Sequence, residues 1–102
     1  MEEQIPVSLV IPYGKIVVSQ SAFQGLGNLK EVSLPASLLE IQDSAFDGCD
    51  LRSLSLPEGV YKIGDRAFCN AHLTSLTLPI GLQIIGSMAF SGAIHPEERD
   101  GK

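Results

Sequence analysis

The sequence predicts an α/β-type repeat solenoid, a short stack of four turns made mostly of short strands and turns, with about 22–23 residues in each turn and a compact Ala-Phe corner. Two markers in one register carry this prediction. The pair Ala-Phe recurs in each turn, at Ala22-Phe23, Ala45-Phe46, Ala67-Phe68 and Ala89-Phe90. Proline recurs with the same spacing, at Pro12, Pro35, Pro57 and Pro79. Two unrelated residue types with one spacing indicate a structural repeat.

Apolar residues between these markers repeat as well, and they define one strand-like segment before each proline. Three copies alternate in the pattern Leu-x-x-Leu/Val-x-Leu-Pro, over residues 29–35, 51–57 and 73–79, and Leu9-x-Ile11-Pro12 is a shortened first copy. Such alternation predicts a strand, and a proline at a strand end removes no needed N–H. One turn cannot bury its own apolar side chains, so the turns must stack and the repeated residues must form columns.

The second half of each turn is predicted to hold another short apolar segment and a compact Ala-Phe corner. Val18, Ile41, Ile63 and Ile85 each precede the alanine by four positions, and the small alanine side chain leaves room for a phenylalanine column. Gly64 and Gly86 suggest a tight bend, although Ser19 and Gln42 fill that place in the other copies. The extra residue of the first interval falls within 24–28, where a surface corner absorbs it without shifting the core register.

The complete motif resembles the BspA-like, or treponemal-type, leucine-rich repeat, in which a strand ending in Leu-Pro is followed by Ile-Gly-x-x-Ala-Phe. Residues 56–68 and 78–90 match it almost completely, and the resemblance covers roughly residues 7–93. It implies a leucine-rich-repeat stack and a general association with bacterial surface adhesion and host-protein binding. The family commonly has a cysteine at the third position after the phenylalanine; here Cys49 has that place, with Leu26, Ala71 and Ala93 in the other copies.

Composition limits the classes of partner. The chain has 102 residues, 44% hydrophobic and 19% charged, which is typical of one soluble globular domain. The net charge is −5, and residues 5–95 hold seven acids and five bases, so no basic face for nucleic acid is expected. No apolar stretch approaches the length of a membrane-spanning helix, which predicts no membrane insertion. The chain begins without a signal peptide, and the resemblance implies a cell-surface or secreted location if it is a fragment of a typical family member.

Two sets of exposed positions are candidate partner-binding residues. If the strand positions between the buried leucines point outward, they form columns rich in hydroxyl groups, with the candidates Ser33, Ser53, Ser55, Ser75 and Thr77. The second segment adds Leu39 and Tyr61, in one outward column with Ile16. The first set is either an ordinary solvated surface or a docking face, and the second is either a contact patch or a column partly covered by neighbouring corners. Glu40 and Lys62 share a column one turn apart, so a weak surface ion pair is also expected.

Catalytic chemistry has little support in the sequence. His72 and His95 are predicted to be solvated, without a nucleophile or carboxylate partner, and the corner residues Asp43, Asp47 and Asp50 are likewise expected to be solvated. Cys49 and Cys69 are predicted to be packed thiols, with a disulfide left as an alternative. No phosphate-binding or metal-ligand spacing occurs, so we predict no enzyme, no cofactor and no metal.

The expected organisation is a possible N-terminal cap at 1–6, four leucine-rich repeats at 7–95 and a polar, flexible tail at 96–102. Uncapped solenoid ends predict self-association or continuation into a longer array. The function favoured is a non-catalytic protein–protein interaction module for a protein partner of unknown identity. A structural spacer or array fragment is the main alternative, and an enzyme with an unrecognised site is a weaker one.

Overall fold

The computed structural model describes residues 7–93, and these form a β-solenoid of four turns that contains strands and turns but no helix. The turns comprise residues 7–28, 29–50, 51–72 and 73–93, each with two strands. The strands are β1 (Val7–Val10), β2 (Val17–Val18), β3 (Leu29–Ser33), β4 (Glu40–Ile41), β5 (Ser53–Ser55), β6 (Lys62–Ile63), β7 (Ser75–Thr77) and β8 (Ile84–Ile85). The predicted four-turn solenoid is confirmed. The expected cap at 1–6 and tail at 96–102 lie outside the described residues.

The two strands of each turn build different sheets. The second strands form a continuous parallel sheet in the order β2-β4-β6-β8, whereas the first strands form two separate parallel pairs, β1-β3 and β5-β7. Within the continuous sheet Ile41 pairs with both Val18 and Ile63, and Ile63 also pairs with Ile85. The extra residue of the first interval therefore leaves the core register intact, as expected, and the β1-β3 ladder shows an irregularity only between Val7 and Ser8.

A column of phenylalanine rings runs through the centre of the stack. Neighbouring rings lie 5.3, 5.3 and 5.4 Å apart and are stacked, from Phe23 through Phe46 and Phe68 to Phe90. The inner two rings are fully buried, as are Ala45 and Ala67 beside them. The short alanine side chain allows the rings to face one another at the spacing between turns without overfilling the interior.

The corners bend at two left-handed backbone positions in each turn. The residue before the Ala-Phe alanine has φ between 56° and 59° in all four turns, at Ser21, Ser44, Arg66 and Met88. The second position, the second residue after the phenylalanine, is Gly25, Gly48, Asn70 and Gly92, with φ between 60° and 84°. The first position is filled by residues that rarely adopt this conformation, so the stacked corners impose it.

Gly64 and Gly86 each begin a tight turn, as predicted, which is closed by a bond of 3.3 Å from Ala67 N to Gly64 O and from Ala89 N to Gly86 O. Neither glycine has positive φ, so the turn itself does not require glycine. A Cβ atom on Gly64 would lie 2.6 Å from the backbone nitrogen of Asp43 and would also overlap its carboxylate. That carboxylate accepts a hydrogen bond from the backbone N–H of Asp65 at 2.9 Å, and Asp65 in turn accepts one from Ser87 at 2.8 Å. Asp43 is exposed, as predicted, and its carboxylate also takes part in the bonding between turns. Glycine supplies the space for this contact.

Candidate functional site

The hydroxyl-bearing candidates all lie on the exposed side of the first strands. Ser33, Ser53, Ser55, Ser75 and Thr77 are exposed, and β5 and β7 place Ser53 beside Ser75 and Ser55 beside Thr77. Alternation along a strand explains this, because the intervening residues point into the core. The predicted outward orientation of these five side chains is confirmed.

These hydroxyl groups do not form one flat surface. Backbone bonds link Ile11 N to Ser33 O at 3.0 Å and Leu56 N to Thr77 O at 3.1 Å, but no equivalent bond joins Leu34 to Ser55. Strands β3 and β5 are therefore not paired with each other, and a groove of about 550 Å³ lies between them. Ser33 is thereby separated from the four hydroxyl groups of β5 and β7.

The second set of candidates forms a continuous apolar stripe, defined here as Ile16, Leu39 and Tyr61. Backbone bonds of 2.9 Å run from Leu39 N to Ile16 O and from Tyr61 N to Leu39 O, which places the three residues directly above one another in successive turns. Their exposed fractions are 54%, 41% and 39%. The three side chains are therefore accessible to solvent, although about half or more of Leu39 and Tyr61 is covered.

A charged pair lies beside the apolar stripe. Lys62 Nζ is 3.9 Å from Glu40 Oε2, one turn apart on the continuous sheet, as the shared column predicted. Both side chains remain partly exposed, and a contact of this length between solvated groups adds little stability. The pair forms a polar border along the apolar stripe.

A third group, which the sequence reasoning missed, is a corner cluster of Lys30, Asp50, Arg52 and His72. The Asp50 carboxylate is bonded by Lys30 Nζ, and it lies 3.4 Å from both Arg52 Nε and Arg52 Nη2 and 3.2 Å from His72 Nδ1. Partial burial by itself raises the pKa of Asp50, but the hydrogen bonds and positive charges of Lys30 and Arg52 outweigh it and hold the pKa below the ordinary value of 3.8.

Two sequence-based predictions are therefore wrong at this corner: Asp50 is not simply solvated, and His72 has a carboxylate partner. The spacing of the repeats could have indicated that these residues are neighbours. Asp50 and His72 occupy equivalent positions of successive repeats, as do Lys30 and Arg52, so each pair belongs to one column of the stack. His95, the other histidine, lies outside the described residues.

The cysteines are buried, free thiols, which confirms their prediction as packed side chains. Burial raises the pKa of Cys49 to about 11, and its Sγ donates a hydrogen bond to the Phe23 carbonyl oxygen at 3.2 Å. Such a thiol is protonated and poorly nucleophilic at neutral pH. Among residues 7–93 no group of three or more His, Cys, Asp or Glu side chains is arranged to hold a metal ion. The same part of the chain has no helix that could cross a membrane.

Comparison with known proteins identifies relatives of this architecture. Two solved structures align with it: a leucine-rich cell surface protein of Faecalibacterium prausnitzii, with 32% identity and a TM-score of 0.63, and a leucine-rich repeat protein of Bacteroides ovatus, with 25% identity and a TM-score of 0.58. The alignments cover 67% and 84% of this chain but only 19% and 29% of those proteins. No curated protein matches the chain.

A family model describes most of the sequence. The model of the BspA-type leucine-rich repeat region matches residues 7–97, in six copies, and so includes all four structural turns. Its span contains both repeat markers and the columns they form in the solenoid. The chain therefore belongs to the BspA-type leucine-rich repeat family.

Proposed function

We propose that this chain is a non-catalytic protein-binding module, related to adhesion, and that the apolar stripe is its main contact surface. The observation that carries the proposal is the vertical alignment of Ile16, Leu39 and Tyr61, each between 39% and 54% exposed. Exposed apolar side chains in a contiguous group are characteristic of protein interaction sites, and tyrosine is enriched among the residues that dominate binding energy.

The surroundings of the stripe fit a protein partner. The Glu40–Lys62 pair borders it with opposite charges at 3.9 Å. In the fourth turn the position of the stripe is taken by the polar Gln83, whose N–H donates to Tyr61 O at 2.9 Å, so the apolar surface ends at Tyr61. Apolar centres with polar borders are the usual organisation of protein interfaces. The hydroxyl groups of β5 and β7 remain a second candidate face. The cell-surface description of the Faecalibacterium relative supports an extracellular location for the module.

A panel of immobilised extracellular-matrix proteins provides the direct test, with binding measured by surface plasmon resonance. We expect the wild-type chain to bind at least one of them and Tyr61→Glu to weaken that binding at least about tenfold, since a buried aromatic contact contributes more than about 1.4 kcal/mol. Ser55→Glu is the matched control on the other face. Circular dichroism checks that both variants are folded.

Two outcomes contradict the assignment. Absence of binding to every member of the panel removes the support for an adhesion-like function. Loss of binding in Ser55→Glu with full binding in Tyr61→Glu moves the site to the hydroxyl-bearing face of β5 and β7.

A second candidate function is that of a segment in a longer repeat array, a spacer without its own binding site. The observation that favours it is the exposure of core-column positions in the fourth turn, where Leu78 is 43% and Ile85 50% exposed. A further turn, or the first turn of another copy, would cover these residues. Further Ala-Phe pairs at the same interval in the surrounding reading frame would support the array; their absence, with self-association in sedimentation experiments, would favour pairing of the ends.

A further inference from the structure

The corner cluster lines an open cleft that is separate from the apolar stripe. The cleft has a volume of about 570 Å³ and is bounded by Gly27, Gly48, Cys49, Asp50, Arg52, His72 and Thr74. Two of its walls are glycines, and a side-chain atom placed on Gly27 would meet nothing within 4 Å. The space beside Arg52 is therefore large enough for the terminal atoms of an incoming side chain.

The corner cluster, in which Lys30 adjoins the cleft by its bond to Asp50 without lining it, has an excess of positive charge in an otherwise acidic surface. Lys30 and Arg52 share the single carboxylate of Asp50, which leaves a net charge of +1. The other charged residues between 5 and 95 are three bases and six acids, a net charge of −3. An anion is therefore attracted to this corner and repelled by the rest of the solenoid.

Arg52 is the group best placed to bind such an anion. Its side chain is 65% exposed, and both of its nitrogen contacts with Asp50 are 3.4 Å long, beyond the usual range of about 2.7–3.2 Å. Residues 7–93 provide its guanidinium with no other partner. The Thr74 hydroxyl donates to the Arg52 carbonyl oxygen at 3.1 Å and fixes the backbone beneath it. A planar guanidinium with accessible donors matches a carboxylate in a two-bond, parallel geometry.

We propose that this cleft binds a carboxylate of an acidic segment in a partner protein. Arg52 binds the carboxylate in a bidentate geometry, Lys30 supplies additional positive charge, and Asp50 holds the basic groups together while the cleft is empty. This site is separate from the apolar stripe, and the proposal does not depend on the function proposed for the stripe. Because Asp50 competes with the ligand for Arg52, its removal strengthens binding, an effect that a purely structural ion cluster does not predict.

The test uses the full chain, labelled with ¹⁵N and titrated with an octaglutamate peptide, with an octaglutamine peptide as the uncharged control. We expect the glutamate peptide alone to shift the amide signals of Gly27, Gly48 and Thr74. Arg52→Gln weakens this binding about tenfold, and Asp50→Asn strengthens it about threefold or more, because it removes a competing negative charge while it preserves the shape of the side chain.

Arg66→Gln is the matched control, since it removes the same charge from another exposed arginine, whose Nη2 contacts the Met88 sulfur at 3.7 Å. We expect it to change the affinity less than about twofold. Arg52→Lys keeps the charge but not the planar fork, so it weakens binding about threefold or more even where Asp50→Asn proves unstable. Equal losses in Arg52→Gln and Arg66→Gln, or unchanged binding in Arg52→Lys, would overturn the proposal. A Tyr61→Glu chain serves to separate the two sites, because it retains peptide binding whether or not the apolar stripe binds a protein.

Discussion

The third and fourth turns carry almost the same motif, yet two apolar positions that are buried in the third turn are exposed in the fourth. Ile63 is 0% exposed and Ile85, its partner in the continuous sheet, is 50% exposed; Leu56 is 5% and Leu78 43% exposed. Within residues 7–93 the third turn has a neighbour on both sides, whereas the fourth has one only. In a solenoid, therefore, the adjacent turns determine whether a repeated residue contributes to the core.

The largest expected effect is a difference between two isoleucine substitutions. Ile63→Ala should lower the free energy of unfolding by about 3 kcal/mol, because it leaves a cavity in a fully buried column. Ile85→Ala should cost about 1 kcal/mol or less, since half of that side chain is already exposed to solvent. Urea unfolding followed by circular dichroism measures both. Equal costs would show that another part of the protein, or another copy, covers Ile85 in solution.

Glycine substitutions sharpen the comparison, because they test the side of each turn that packs against the preceding turn. On that side the third and fourth turns are alike. Gly64→Ala and Gly86→Ala should each cost about 2 kcal/mol, since a Cβ atom would come within 2.6 Å of backbone atoms of the preceding turn. Gly81→Ala is the control: nothing lies within 4 Å of its Cβ position and its φ is not positive, so we expect a change of about 0.5 kcal/mol or less. A much smaller cost for Gly86→Ala than for Gly64→Ala would mean that the fourth turn packs loosely against the third turn as well.

The smallest expected effect on stability comes from the corner cluster, which lies where the second and third turns meet. The pKa of Asp50 is lower in the folded chain than its ordinary value, so its contribution to stability is present above about pH 4 and is lost as the pH falls through the folded pKa. We expect Asp50→Asn to be less stable than wild type by about 1 kcal/mol or less at pH 7. Thermal unfolding between pH 7 and pH 2 should show this difference disappearing in acid. A constant difference across that range would contradict the ionic origin.

Much of this architecture could be predicted from residue spacing, because a stacked repeat places chemically similar side chains at equal intervals. The Ala-Phe and proline intervals gave the number of turns and the register, and alternation gave the outward direction of Ser53, Ser55 and Tyr61. The binding roles of these residues stay predictions. The charged column at Asp50 and His72 shows the limit: equal spacing indicates that two residues are neighbours, but not how far their side chains reach.

The sequence by itself determined the repeat, its four turns, its buried columns and its family, since each follows from residue types at fixed intervals. Only the tertiary structure decided which copies of a column are buried, why a side chain at Gly64 or Gly86 would be destabilising, and where β3 and β5 separate. It also decided that Lys30, Arg52 and His72 converge on one carboxylate. The physical reason is that burial, close approach and charge pairing depend on distances between turns, and successive turns are a full repeat apart along the chain but in contact in space.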